Sequence, residues 1–149
     1  MKKLTIAIVL CLVVFAMIAM PALAAAQKVA LVACPINYPA GSEQPPGGGF
    51  VVFNNSAGPN NLEVTVSLKG VEPGVTYDVY LFVDGAWYDG ALAGTITTNV
   101  QGNANFHMNG LLEPGEHTLA IDIVYTDTGA DIYETPDIHS GGGAVMTFK

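Results

Sequence analysis

The sequence predicts an all-β protein, an antiparallel β-sandwich of about seven to nine strands. Three observations support this fold class. Short apolar blocks alternate with polar residues at the two-residue period of a strand. Clusters of Gly, Pro, Asn and Asp separate these blocks at intervals of roughly 8–15 residues. Almost no helical periodicity follows the N-terminal region, so a fold built from βαβ units is excluded.

The N-terminal region has the composition of a secretory signal peptide. Two lysines precede an apolar run over residues 4–20, and a small-x-small motif follows the run. This arrangement predicts a helical signal peptide over residues 1–24, cleaved after Ala24 or Ala26. A single β-sandwich domain over residues 25–149 is expected to follow it.

Two alternatives to a cleaved signal peptide stay open. The apolar run is close to the about 20 residues that span a bilayer, so an uncleaved membrane anchor is one of them. The other is lipidation, because residues 31–34 resemble a bacterial lipobox ending in Cys34, although Gln27 and Lys28 separate it from the apolar run. Cleavage would also remove Cys11 and leave Cys34 alone, either buried or pairing between chains.

Each strand of the first half is predicted from its local pattern. A strand over residues 29–33 precedes a Pro- and Gly-rich loop, and a strand over residues 50–54 precedes an Asn-rich turn. Leu62–Lys69 alternates most clearly, with Leu and Val on one face and polar residues on the other, which indicates a half-buried strand. Residues 77–83 are apolar on both faces, which indicates a central strand.

The second half of the chain continues this pattern. β-branched residues predict a strand over residues 95–100, and a turn containing Gly leads from it into a strand over residues 104–108. Residues 119–124 alternate and form the next strand. A long polar loop with a short apolar stretch at residues 132–133 then precedes the last strand, Ala144–Phe148.

One turn is similar to a known structural motif. Residues 71–80 contain Pro73 and Gly74 and lead into a Tyr-x-Val strand that starts at Tyr77. The segment resembles the corner of immunoglobulin-like and fibronectin type III-like modules of prokaryotic surface proteins. The resemblance implies an immunoglobulin-like sandwich in which the Tyr77 hydroxyl bonds back to the chain a few residues upstream. The Pro-Gly turn recurs at residues 112–115, ahead of another strand.

The charge balance is acidic and limits the partners. Thirteen Asp and Glu residues oppose five Lys, no Arg is present, and the formal net charge is −8. A nucleic-acid binder needs Lys and Arg to neutralise phosphates, so this class is excluded. An acidic surface repels acidic partners, which favours proteins, glycans or cations. Membrane contact is expected only through an uncleaved signal peptide.

The three histidines, His107, His117 and His139, do not predict a metal site. We expect residues 105–108 to pair with residues 118–124, which would bring His107 and His117 onto one hairpin. Side-chain alternation then places the two rings on opposite faces, where they cannot share a metal ion.

Four acidic residues lie in one polar loop: Asp127, Asp131, Glu134 and Asp137. Calcium takes several oxygen ligands from such loops, so calcium is the one cofactor that the sequence allows for. The spacing differs from that of an EF-hand, and a solvated acidic loop is the alternative.

A second loop carries the single tryptophan of the chain. Asp84 and Asp89 belong to two Asp-Gly turns, and Trp87 and Tyr88 lie between them. Aromatic side chains on a loop between rigid strands are a common stacking platform, so these four residues form a candidate ligand-binding site. In the alternative, Trp87 folds back and covers one end of the core. Asn54 starts an Asn-x-Ser sequon in a predicted turn and is a candidate glycosylation site.

The function expected from these patterns is that of a non-enzymatic module, secreted or at the cell surface, with a binding or structural role. No H-E-x-x-H, P-loop, C-x-x-C or G-x-S-x-G motif is present. One alternative is a subunit of an extracellular filament, in which the strand over residues 29–33 leaves its own sheet and completes a neighbour's. Another is a secreted polysaccharide hydrolase that uses Asp84 and Asp89 near Trp87.

Overall fold

The computed structural model describes residues 26–37, 43–56, 58–90 and 92–149. The predicted signal peptide, residues 1–24, lies outside this part of the chain. Within the described residues, no helix combines the length and the hydropathy needed to cross a membrane.

The described residues confirm the all-β prediction, because nearly all of their regular structure is antiparallel strand. Two predicted strands have the predicted bounds, whereas the others shift by one to four residues at one or both ends. A four-residue strand at Asp131–Glu134, which lies within the predicted polar loop, is additional. A two-residue strand and two single-turn 3-10 helices, at Tyr88–Gly90 and Ile138–Ser140, were also not predicted. The strands are β1 Gln27–Ala33, β2 Gly48–Asn55, β3 Leu62–Lys69, β4 Thr76–Val83, β5 Ala86–Trp87, β6 Gly94–Thr97, β7 Ala104–Gly110, β8 Gly115–Tyr125, β9 Asp131–Glu134 and β10 Ala144–Phe148.

The strands form one continuous curled sheet that has two halves. One half has the order β1-β2-β3-β7, and the other has the order β5-β4-β8-β9-β1. Strand β1 belongs to both, because residues 27–31 pair with β2 and residues 32–33 pair with β9. Strand β6 also pairs with β4, and β10 also pairs with β8. The first strand of the domain therefore holds the two halves together.

The structure corrects the predicted partners of β7 and β8. Strand β7 pairs with β3, with Leu62 opposite Gly110, and β8 pairs with β4, β9 and β10. The expected pairing of residues 105–108 with residues 118–124 is therefore wrong. Alternation shows which face of a strand is buried, but it does not show which strand pairs with it. The buried face is the same whichever strand lies alongside. His107 and His117 consequently lie in different halves of the sheet.

The inner faces of the two halves enclose one hydrophobic core. Burial of each large side chain there stabilises the fold by about 1.5–3 kcal/mol. Tyr77 follows the exposed turn at Pro73 and Gly74 and is fully buried, with its ring centroid 5.2 Å from that of Tyr125. The most deeply buried members, drawn from both halves, include Phe53, Leu62, Val64, Val66, Val79, Leu81, Leu119, Ile121, Ile123 and Phe148.

Candidate functional site

The outer face of β4, β8 and β9 carries aromatic and acidic side chains in one row. Residues next to the inward-facing positions of these strands point outwards. The register places Tyr80 opposite Asp122, and Asp122 opposite Glu134. The row therefore has an aromatic end on β4 and an acidic end on β9.

The aromatic end is a cluster of three rings, Tyr80, Phe82 and Trp87. Strand β5 folds back on β4 and places Trp87 opposite Phe82. The ring centroids of Trp87 and Tyr80 are 5.0 Å apart at an interplanar angle of 37°, and Phe82 meets Trp87 edge-on at 6.2 Å. Trp87 remains 52% exposed. It therefore lies on the outer surface and does not cover the end of the core.

The other three residues of the predicted ligand site have different surroundings. The Tyr88 hydroxyl accepts a hydrogen bond from Leu111 N at 2.9 Å and donates one to Leu111 O at 3.2 Å, so Tyr88 ties two loops together. The Asp84 carboxylate turns back onto β8. Asp89, two residues after Trp87 in the chain, is exposed and has a positive φ of 53°.

The acidic end of the row continues into a polar cluster formed by Cys34, Glu134 and His139. Cys34 directly follows β1, and its backbone nitrogen donates to Ile132 O at 3.1 Å, which extends the pairing with β9. Glu134 ends β9, and His139 lies on the 3-10 turn that follows. The thiol sulphur, one carboxylate oxygen and one ring nitrogen all lie within 4.8 Å of one another.

Two carboxyl groups at this end are buried. Asp122 Oδ1 has no hydrogen-bond partner, whereas Glu134 Oε2 lies 2.9 Å from Nε2 of His139. Burial, together with the negative charge and hydrogen bond of Asp131, raises the pKa of Asp122 to about 8. Burial is also the main reason that the pKa of the Cys34 thiol is raised, and the Glu134 charge adds to the effect.

The structure separates the four acids of the predicted calcium loop. Glu134 belongs to the outer-face row, and Asp131, opposite Val124 on β8, hydrogen-bonds to Asp122 of this row. Asp127 lines a surface pocket with Glu72, and Asp137 is exposed at the start of the 3-10 turn. Among the described residues, the group of three or more convergent metal-ligand side chains is Cys34, Glu134 and His139. The sequence carried no signal for this group, because Cys34 and His139 come from opposite ends of the domain.

Asn54, which the sequence placed where the predicted strand meets the turn, lies within β2, one residue before its end. Its register partner on β3 is Glu63. The amide nitrogen, which a glycan would occupy, donates a hydrogen bond to the Glu63 carboxylate at 3.2 Å. The side chain therefore helps to join β2 to β3.

No family model, curated protein or solved structure matches this chain. The fold and the outer-face row define an all-β protein with a surface aromatic cluster next to a buried polar cluster.

Proposed function

We propose that this chain is an exported, non-enzymatic binding module that holds a sugar ring of a neutral glycan against Trp87. The half-exposed Trp87 ring, supported from below by Tyr80 and Phe82, is the observation that carries the proposal. An aromatic face of this kind stacks on the apolar face of a sugar. Because the ring belongs to paired strands, little conformational freedom is lost on binding.

The charges near Trp87 favour a neutral ligand. The net charge of −8 repels acidic polysaccharides. The exposed carboxylate of Asp89 is an acceptor for sugar hydroxyl groups. Asp84 is bonded to His117 and Thr118, which supports a structural role for it and favours binding over hydrolysis by a pair of acids.

Export and an immunoglobulin-like arrangement of the sandwich belong to the same proposal. The N-terminal pattern supports export, and the turn at Pro73 and Gly74 before the buried Tyr77 supports the immunoglobulin-like corner. The intact mass of the protein recovered from the culture medium tests export. We expect a chain that starts after Ala24 or Ala26, whereas a mass that includes Met1 would contradict it.

Binding is tested on an array of neutral glycans, with affinities then measured by titration. Trp87→Ala and Tyr80→Ala should weaken binding at least about tenfold, which corresponds to about 1.4 kcal/mol. Val100→Ala is the matched control, because Val100 is a highly exposed apolar residue in a different turn. The proposal fails if no neutral glycan binds, or if Trp87→Ala binds as well as the unmodified chain.

A strand-exchanging filament is a second candidate function, and the position of β1 favours it. This strand joins both halves of the sheet, yet Leu31 is its one buried residue. A neighbour's β1 could therefore occupy the same place with the same backbone pairing. A variant lacking residues 27–39 should take up a synthetic peptide of residues 27–33. Only a compact monomer in size-exclusion chromatography, together with no peptide uptake, would rule this function out.

A further inference from the structure

We propose that Cys34, Glu134 and His139 form a binding site for a divalent transition-metal ion of the zinc class. The site is independent of the glycan proposal, because none of its three residues belongs to the aromatic cluster. It lies at the junction where the chain leaves β1 and where β9 turns towards β10.

The three ligand atoms have the spacing that a common ion needs. Zinc binds thiolate sulphur at about 2.3 Å and nitrogen or oxygen at about 2.0–2.2 Å in a tetrahedral arrangement, which puts neighbouring ligand atoms roughly 3.3–3.8 Å apart. Here all three atoms lie within 4.8 Å of one another, and His139 Nε2 is 2.9 Å from Glu134 Oε2. The 2.9 Å distance is shorter than this range, so the Glu134 and His139 side chains must move apart to bind zinc.

The buried oxygen of Glu134 is an independent indication of a ligand. The Glu134 side chain is 2% exposed, and the group that faces its Oε2 is the His139 ring, whose Nε2 lies 2.9 Å away and carries a charge only when protonated. A buried carboxylate is costly unless a cation compensates its charge, and a neutral imidazole supplies no charge. A cation held between Glu134, Cys34 and His139 supplies this compensating charge.

The ligand types select the kind of ion. Calcium and magnesium prefer oxygen ligands, whereas a thiolate and an imidazole favour zinc and related transition metals. Three protein ligands leave a fourth position for water or for an external group. The His139 side chain is 46% exposed, so this position has access to solvent. Binding would remove the thiol proton of Cys34, as metal–thiolate bonds require.

The bound ion would also hold the fold together. Cys34 directly follows the strand that joins the two halves of the sheet, and His139 belongs to the connection between β9 and β10. One ion therefore links β1, β9 and this connection. A ligand that binds only the folded state raises the melting temperature, and a tighter ligand raises it further.

The test uses the full chain, purified in reduced and metal-free form, with zinc and cobalt as probes. We expect one zinc ion per chain in native mass spectrometry, a higher melting temperature with zinc, and a thiolate-to-cobalt charge-transfer band in the ultraviolet spectrum. Cys34→Ser, Glu134→Gln and His139→Ala should each lower zinc affinity at least about tenfold.

His107→Ala is the matched control. His107 is 49% exposed, close to the value for His139, and its Nδ1 lies 3.8 Å from Glu63 Oε1, but it has no thiol nearby in the described structure. The zinc affinity of the His107→Ala variant should equal that of the unmodified chain. Because His139 is on the surface, His139→Ala tests the site even if Cys34→Ser does not fold. The proposal is overturned if the unmodified chain takes up no zinc, if His139→Ala binds zinc normally, or if the cobalt complex lacks the thiolate band.

Discussion

The Asp84 carboxylate lies 2.7 Å from Nδ1 of His117 and joins the end of β4 to β8. Its second oxygen accepts a hydrogen bond from Thr118 N at 2.8 Å. The other ring nitrogen, Nε2, is 3.0 Å from Glu113 O, so both nitrogens of His117 face acceptors. The doubly protonated ring satisfies both contacts, because each of its nitrogens is then a donor.

This pair should make the stability depend on pH. The Asp84 hydrogen bond, followed by the Glu113 carbonyl, raises the pKa of His117 above its ordinary 6.5. The stabilisation from His117 is therefore complete below pH about 6.5 and is lost as the pH rises through the folded-state value. The Thr118 amide, followed by His117, lowers the pKa of Asp84 below 3.8, so its contribution is present above that pH and is lost on further acidification.

Urea unfolding from pH 3 to 9 measures this effect. Because the Asp84 side chain is 52% exposed, we expect the pair to contribute about 0.2–1 kcal/mol, with its maximum between about pH 4 and 6.5. Asp84→Asn is the control, since Asn tolerates the positive φ of 53° but carries no charge. In that variant the pKa of His117, followed by NMR, should fall. An unchanged pKa of His117 in this variant would show that the Asp84 carboxylate does not raise it.

The Asn61 side chain forms the two hydrogen bonds with the Leu112 backbone that a neighbouring strand would otherwise form. Its Nδ2 donates to Leu112 O at 2.8 Å, and Leu112 N donates to Asn61 Oδ1 at 2.8 Å, in a buried position. Asn61→Ala leaves both backbone groups without a partner, so the free energy of unfolding should fall by about 2–4 kcal/mol in chemical denaturation. Asn109→Ala, which changes an exposed asparagine on β7, should stay within about 0.5 kcal/mol. Equal losses would refute this role of Asn61.

Gly102 and Gly85 have similar positive φ angles but different surroundings. Comparing alanine substitutions at the two positions therefore distinguishes the cost of backbone strain from the cost of steric overlap. Gly102 has φ 71°, and an added Cβ would lie 1.9 Å from Val71 O, whereas Gly85 has φ 79° and open space around the same position. Gly85→Ala should cost about 1–2 kcal/mol from the left-handed conformation alone. Gly102→Ala should cost at least about 2 kcal/mol more, because the backbone of Val71 must move. Melting curves that show similar losses for both variants would contradict the overlap.

Trp87 is the one tryptophan of the chain, so its fluorescence reports on the aromatic cluster alone. Its half-exposed ring should be quenched by acrylamide in the folded protein, to an extent between that of free tryptophan and that of a buried ring. Tyr80→Ala should increase the quenching, because it removes the ring that stacks at 5.0 Å. If acrylamide does not quench the fluorescence of the folded protein, Trp87 is buried in the core and the proposed glycan site is wrong.

The local pattern of the sequence was sufficient to locate most strands. Successive side chains of a strand point to opposite faces, so a strand with one buried face shows apolar residues at every second position. Leu62–Lys69 and Ala144–Phe148 have the predicted bounds for this reason. β5 escaped prediction because two residues, Ala86 and Trp87, are too few to show alternation.

The sequence by itself determined the strand class, the acidic charge and the presence of an aromatic loop, since each is a property of residues close together in the chain. Only the tertiary structure decided that β7 pairs with β3, that Trp87 rests on Tyr80, and that Cys34 meets Glu134 and His139. The first and the last of these contacts join segments far apart in the chain. Their choice depends on how all strands share one core, which no local pattern encodes.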